Sequence, residues 1–172
     1  MNTIEMLKVQ TESTYKWVNT LLESIPFKEW DTIPDNLATN VTWQVGHLIL
    51  SVNYHSIMAI KGPEPELYQK FPIQEYARLF IKADPAECIG LTDAEELLEH
   101  FKMVQKSSIS IISQLLEEEL EHKLEPTKVP HPVANNKFEA LDWNNKHTMW
   151  HCGQLGILKR IVDQRYDFGL KF

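Results

Sequence analysis

Glycine is scarce in this chain, with six residues in 172. A β-sandwich or barrel needs many tight turns, and tight turns draw on glycine, so the shortage counts against both. Cysteine is scarcer still. Cys88 and Cys152 are the only two, too few for a disulfide framework. Apolar stretches such as Leu48-Ile49-Leu50 fall far below the roughly 20 residues that a membrane-spanning helix needs. A basic stripe is missing and the formal net charge is −7, so the electrostatic footprint of a nucleic-acid binder is absent. The opening residues Met1-Asn2-Thr3-Ile4-Glu5 do not place a charged segment before an apolar run. No signal peptide is expected, and a reducing cytoplasm is the default location.

What is present suits a single globular domain over residues 1–172, with one sizeable core. Apolar residues make up 43% and charged residues 24%, ordinary values for such a chain. Acidic clusters at Glu95, Glu96 and Glu99, and at Glu117, Glu118, Glu119 and Glu121, read as solvated helix faces. There is no internal repeat.

Four segments carry helical periodicity. The first runs from about Thr3 to Ser24, with Ile4, Leu7, Thr11, Val18 and Leu21 on one stripe. The second runs from about Asn40 to Lys61, capped by Asn40 or Thr42 and ended by Gly62-Pro63. The third runs from about Asp93 to Glu121, with Thr92 and Glu95 as a capping box. The fourth runs from about Glu139 to Gln164, and the tail from Arg165 to Phe172 reads as irregular. A connection over residues 62–91 holds Pro63, Pro65, Pro72 and Pro85, with room for a short helix from Ile73 to Phe80. Another, from about Glu125 to Lys137, holds Pro126, Pro130 and Pro132. Long connections in a compact domain often cover a site. The expected fold is all-α: an up-and-down four-helix bundle with long connections between helices 2 and 3 and between helices 3 and 4. With antiparallel neighbours, the N-terminal halves of the second and fourth helices share one end of the bundle.

Seven histidines punctuate the chain. On a wheel of 100° per residue measured from Trp143, His147 falls at about 40°, His151 at about 80° and Gln154 at about 20°. The two histidines project from the apolar face, one turn apart. Imidazoles at i and i+4 can grip one ion, and burying two side by side is costly unless their nitrogens find partners. A third ligand has to come from another helix. His47 shares the apolar arc of the second helix with Trp43, Leu50, Tyr54 and Met58. His55 lies about 80° away and about 12 Å further along the axis, too far to share an ion with bonds of roughly 2.0–2.1 Å. His47 is therefore the third ligand expected, and His55 is placed at the surface or just behind a ligand. His100, His122 and His131 are read as surface residues, His131 reaching the site only if its connection folds over the bundle. Gln154 is a candidate to bond a ligand histidine or simply a neighbouring helix. Trp43, Trp143 and Trp150 are placed either as pocket walls or as core. Cys152 is turned off the ligand face and Cys88 has no base nearby.

The segments Trp43-Gln44-Val45-Gly46-His47-Leu48 and His147-Thr148-Met149-Trp150-His151-Cys152-Gly153-Gln154 are similar to the two signatures of the DinB superfamily. This is the damage-inducible helical-bundle family, not the DNA polymerase of similar name. The resemblance extends to helix order and loop lengths along the whole chain. It implies a four-helix bundle, often a homodimer, with one divalent ion, zinc or nickel, on His47, His147 and His151. Better-understood relatives are transferases and isomerases dependent on low-molecular-weight thiols such as bacillithiol or mycothiol; others are described as metal-dependent hydrolases. Three protein ligands leave a coordination position open, the arrangement of a catalytic site. Three readings follow. The first is a thiol-dependent S-transferase acting on a small-molecule substrate. The second is a hydrolase using a metal-activated water, and the third a non-catalytic metal-bearing bundle in stress response or binding. No catalytic base stands out, and neither nucleic acid nor membrane is an expected partner.

Overall fold

The computed structural model describes residues 2–170. It is all-helical, and among the described residues the one β-type pairing is an isolated bridge between Lys123 and Asn136. The α-helices are α1 (Thr3–Glu23), α2 (Val41–Asn53), α3 (Ala59–Lys61), α4 (Pro65–Tyr68), α5 (Ile73–Ala77), α6 (Ala94–Gln114) and α7 (Lys137–Val162). A π-helical turn, Tyr54–Met58, joins α2 to α3, and another, Arg78–Lys82, continues α5. None of the described helices is long and apolar enough to cross a membrane.

Short polar side chains start the long helices by accepting from backbone N–H groups that a helix start leaves unpaired. The Asn2 side chain accepts from the Glu5 backbone N–H, and the Asn2 backbone N–H donates to the Glu5 carboxylate in return. Asn40 accepts from Trp43, and Asn136 from Glu139. Asp93, rather than Thr92, caps α6 by accepting from Glu96. Gly62, at φ 95°, stops α3 in a backbone conformation that favours glycine.

The long helices bury their stripes against one another. α1 packs on α6 and α7, and α2 packs on the same two. Val18, Leu22, Val45, Ile49, Phe101 and Leu155 are fully enclosed between them. As the mixed pattern of the second helix predicts, most of α2 is buried.

Two boundaries differ from expectation. The third helix ends at Gln114, and a separate 3-10 turn covers Glu117–Glu121. Carboxylates are unfavourable at a helix C-terminus. After the break Glu119 instead accepts from the Leu116 backbone N–H at 2.8 Å. The 62–91 connection is more ordered than one short helix, holding α4, α5, the second π turn and a 3-10 turn at Pro85–Cys88. The tail is irregular through Leu170, with Phe168 against Trp17; Lys171 and Phe172 lie outside the described residues.

Candidate metal centre

The fold brings His47, His147 and His151 together. One ligand nitrogen from each lies within 4.8 Å of the other two. His47 stands at the middle of α2, and the other pair occupies successive turns of α7. The ring centroids of His147 and His151 are 4.5 Å apart, and those of His47 and His151 5.0 Å.

Partners of the outer nitrogens determine what the inner ones offer. His47 Nδ1 lies 3.0 Å from the Phe80 carbonyl oxygen. A carbonyl only accepts, so Nδ1 carries the hydrogen and Nε2 keeps its lone pair. Gln44 does the same for His151. Its amide nitrogen donates to Thr39 Oγ1 at 3.1 Å and Gln154 Oε1 at 2.9 Å. That turns Gln44 Oε1 to the His151 Nδ1–H, leaving the His151 Nε2 lone pair facing His147 Nε2 at 3.2 Å. A shared cation satisfies two such nitrogens. Metal-binding histidines characteristically anchor the other ring nitrogen on a carbonyl or amide oxygen in this way. The donor set fits a divalent ion.

Burial keeps these rings neutral, the form that ligates. Loss of solvent lowers the His151 pKa to about 3, with His147 and His47 adding to the effect. Loss of solvent also lowers His147 to about 4, assisted by His47. His47 is lowered by burial against the opposing bond to Phe80.

The Phe80 contact depends on a glycine. A Cβ on Gly46 would lie 2.2–2.4 Å from the Phe80 ring. The absence of that atom lets the Arg78–Lys82 turn close onto α2 and bring the Phe80 carbonyl to His47. Trp43 stacks on His47 at 5.0 Å, nearly parallel, and donates from Nε1 to the Ala83 carbonyl at 3.2 Å. Trp143 stacks on His147 at 5.9 Å. Trp150 touches His147 only edge-on and is 63% exposed, so it stands at the rim. Gln154 reaches His151 through Gln44.

His55 and His131 take the second of the two positions expected for each, beside the ligand group, whereas His100 is buried rather than at the surface and Gln44 is not among the candidates read from the sequence. His55 is 5% exposed, not at the surface. Its ring meets that of His147 at 5.5 Å, and its Nδ1 lies 2.7 Å from His131 Nε2. His55 stays outside the three-histidine group, as the wheel implied, on a turn (Tyr54–Met58) that is π-helical, with more residues per turn than an α-helix. His131 arrives because its connection folds over the site, pinned by the Tyr54 hydroxyl donating to the Val129 carbonyl at 2.7 Å. His100 is buried on α6, 2.8 Å from the Tyr76 hydroxyl, again a partner supplied by a connection. His122 is exposed, as expected. Both thiols are buried, and burial raises their pKa values, so neither is primed as a nucleophile. A largely apolar cavity of about 610 Å³ lies between the two connections, bordered by Tyr54, Met58, Tyr68, Ile73 and Val129.

Comparison with known proteins identifies the family and the fold. The profile described as the DinB superfamily matches residues 10–155. A crystal structure of a conserved protein from Enterococcus faecalis superposes with a TM-score of 0.70 at 18% identity, covering 94% of this chain and 98% of the other. That likeness concerns the fold. None of the curated proteins matches the sequence.

Proposed function

We propose, from the premise that this chain belongs to the DinB superfamily, that it binds one divalent ion on His47, His147 and His151 and acts as a metal-dependent enzyme on small molecules. One observation carries the reading: His47 and His151 are each tied at Nδ1 to an acceptor, which aims Nε2 into the space shared by all three rings. Three imidazoles suit zinc or nickel and leave a position open. The four longest helical segments are read as an up-and-down four-helix bundle, supported by the packing of α1 and α2 on both α6 and α7.

A divalent ion in this place supplies Lewis acidity, which lowers the pKa of a thiol or a water bound to it. The chain's own residues hold and shield the centre. Phe80 and Gln44 orient the ligand rings. Trp43 and Trp143 cover two of them and limit water. Thiol-dependent S-transfer is the leading reaction class. Because Cys88 and Cys152 are buried with raised pKa values, the sulfur belongs to a low-molecular-weight thiol co-substrate.

Elemental analysis of tag-free protein beside His47→Ala and His151→Ala tests this reading. About one ion per chain in the parent and little in either variant is the expected result. A parent that carries no metal and takes up neither zinc nor nickel would sink it. Thiol transfer to electrophiles and ester or amide hydrolysis are then screened with the loaded protein, and hydrolysis without any thiol requirement would replace the S-transferase assignment.

A further inference from the structure

Two further histidines adjoin the three-histidine group, and their hydrogen positions can be read from their partners. The Ala134 backbone N–H lies 2.9 Å from His131 Nδ1, and that of Val133 lies 3.4 Å away. A backbone N–H can only donate, so His131 Nδ1 accepts. The neutral His131 ring therefore carries its hydrogen on Nε2. That nitrogen is 2.7 Å from His55 Nδ1, which must accept in turn. The hydrogen of His55 is thus left on Nε2, turned away from the connection on the ring that packs edge to face with His147. His55 Nε2 makes no hydrogen bond to another described residue. A ring nitrogen that bears hydrogen cannot ligate a metal, but it can donate to whatever occupies a neighbouring coordination position.

We propose that His55 is a hydrogen-bond donor to the anion or thiolate taking the open position of the three-histidine centre, with His131 as the positioning residue that keeps the hydrogen on His55 Nε2. The inference rests on the metal-binding reading above. It gives the 123–136 connection a role beyond cover, because the backbone of Val133 and Ala134 sets the hydrogen pattern of both rings. Tyr54 braces the arrangement. Its ring stacks on His131 at 5.5 Å while its hydroxyl holds the Val129 carbonyl. An Nδ1 that accepts a hydrogen bond carries no hydrogen, so both rings are neutral, as a directed N–H···N bond between them requires.

The test uses full-length protein loaded with cobalt(II) and azide as the anionic probe, read by the visible absorption of the ion. Four variants are compared with the parent. His131→Gln keeps an N–H donor toward His55, and His131→Leu keeps the bulk without it. His55→Gln keeps an N–H near the Nε2 position, and His55→Leu removes it. All four are expected to hold about one cobalt per chain. His55→Leu and His131→Leu should bind azide about tenfold more weakly or worse, the loss of one hydrogen bond to a charged group. The glutamine variants should stay within a few-fold of the parent. Unchanged azide affinity in the leucine variants with cobalt retained would overturn the donor role. Loss of cobalt in His55→Leu alone would overturn it differently, making His55 a ligand. Should His55→Leu fail to fold, the His131 pair decides the matter, since His131 sits in a connection and both substitutions preserve its bulk. A parent that binds no cobalt would instead refute the metal-binding reading itself.

Discussion

A single glutamine shows how much of the site lies outside its ligands. Gln44 accepts from His151 while donating to Thr39 and Gln154, so one amide ties the start of α2 to two turns of α7. Gln44→Leu leaves the His151 Nδ1–H without an acceptor in a buried setting and frees the ring to turn. Loss of such an outer partner lowers metal affinity by about 10–100-fold. Competition against a chromophoric chelator should show that loss, with Gln44→Glu retaining most of the affinity because its carboxylate still accepts. Equal affinity in the leucine variant would mean that packing, not Gln44, orients His151.

At the scale of elements, a tight junction that bears on the site is the packing of the Arg78–Lys82 turn on α2. Gly46→Ala pits two effects of known sign against each other. Alanine in place of glycine favours a helix interior by about 1 kcal/mol. A Cβ inside the Phe80 ring, at 2.2–2.4 Å, forces repacking that costs about 1–3 kcal/mol. The clash is with a fully buried ring, so a net loss of stability is expected in urea unfolding, together with weaker metal binding as the Phe80 carbonyl moves off His47. A more stable variant with unaltered affinity would show that the turn yields without disturbing the site. The π turn at Tyr54–Met58 is the other element with consequences. It turns His55 toward His147 and leaves Tyr54 free to brace the 123–136 connection.

For the whole molecule, the buried histidines dictate the response to acid. Burial holds His55 and His151 at about 3 and His147 at about 4, against an ordinary 6.5. Below pH 6.5 the unfolded chain takes up protons that the folded chain refuses, so the unfolded state gains. Stability of the metal-stripped protein should therefore be flat above about pH 7 and fall from about 6.5 toward 4. Urea midpoints after chelator treatment, taken at pH 7.5, 6 and 5, measure the slope. No change between pH 7.5 and 5 would mean that these rings are solvated in the fold. In the loaded protein the same protons compete with the ion, and metal release on acidification should track the loss of stability.

What could be read from the sequence was what is local. The cap at Asn40 and the apolar stripes of the long helices follow from short-range spacing, and so does the one-turn separation of His147 and His151. The apolar arc of the second helix and the axial distance of His55 supplied the third member of the cluster, His47, and the Trp43-to-His47 signature matched it. The tertiary structure decided whatever depends on the two connections, which have no period to read. It alone brought the Phe80 carbonyl to His47, buried His100 beneath Tyr76, and laid His131 on His55. It also decided the local angle at Tyr54–Met58, because a π turn changes the residue angle without announcing itself in the pattern of side chains. Helices are written by neighbours in the chain, whereas the hydrogen bonds that fix the hydrogens of His47, His55 and His151 come from residues tens of positions away and exist only once the chain has closed.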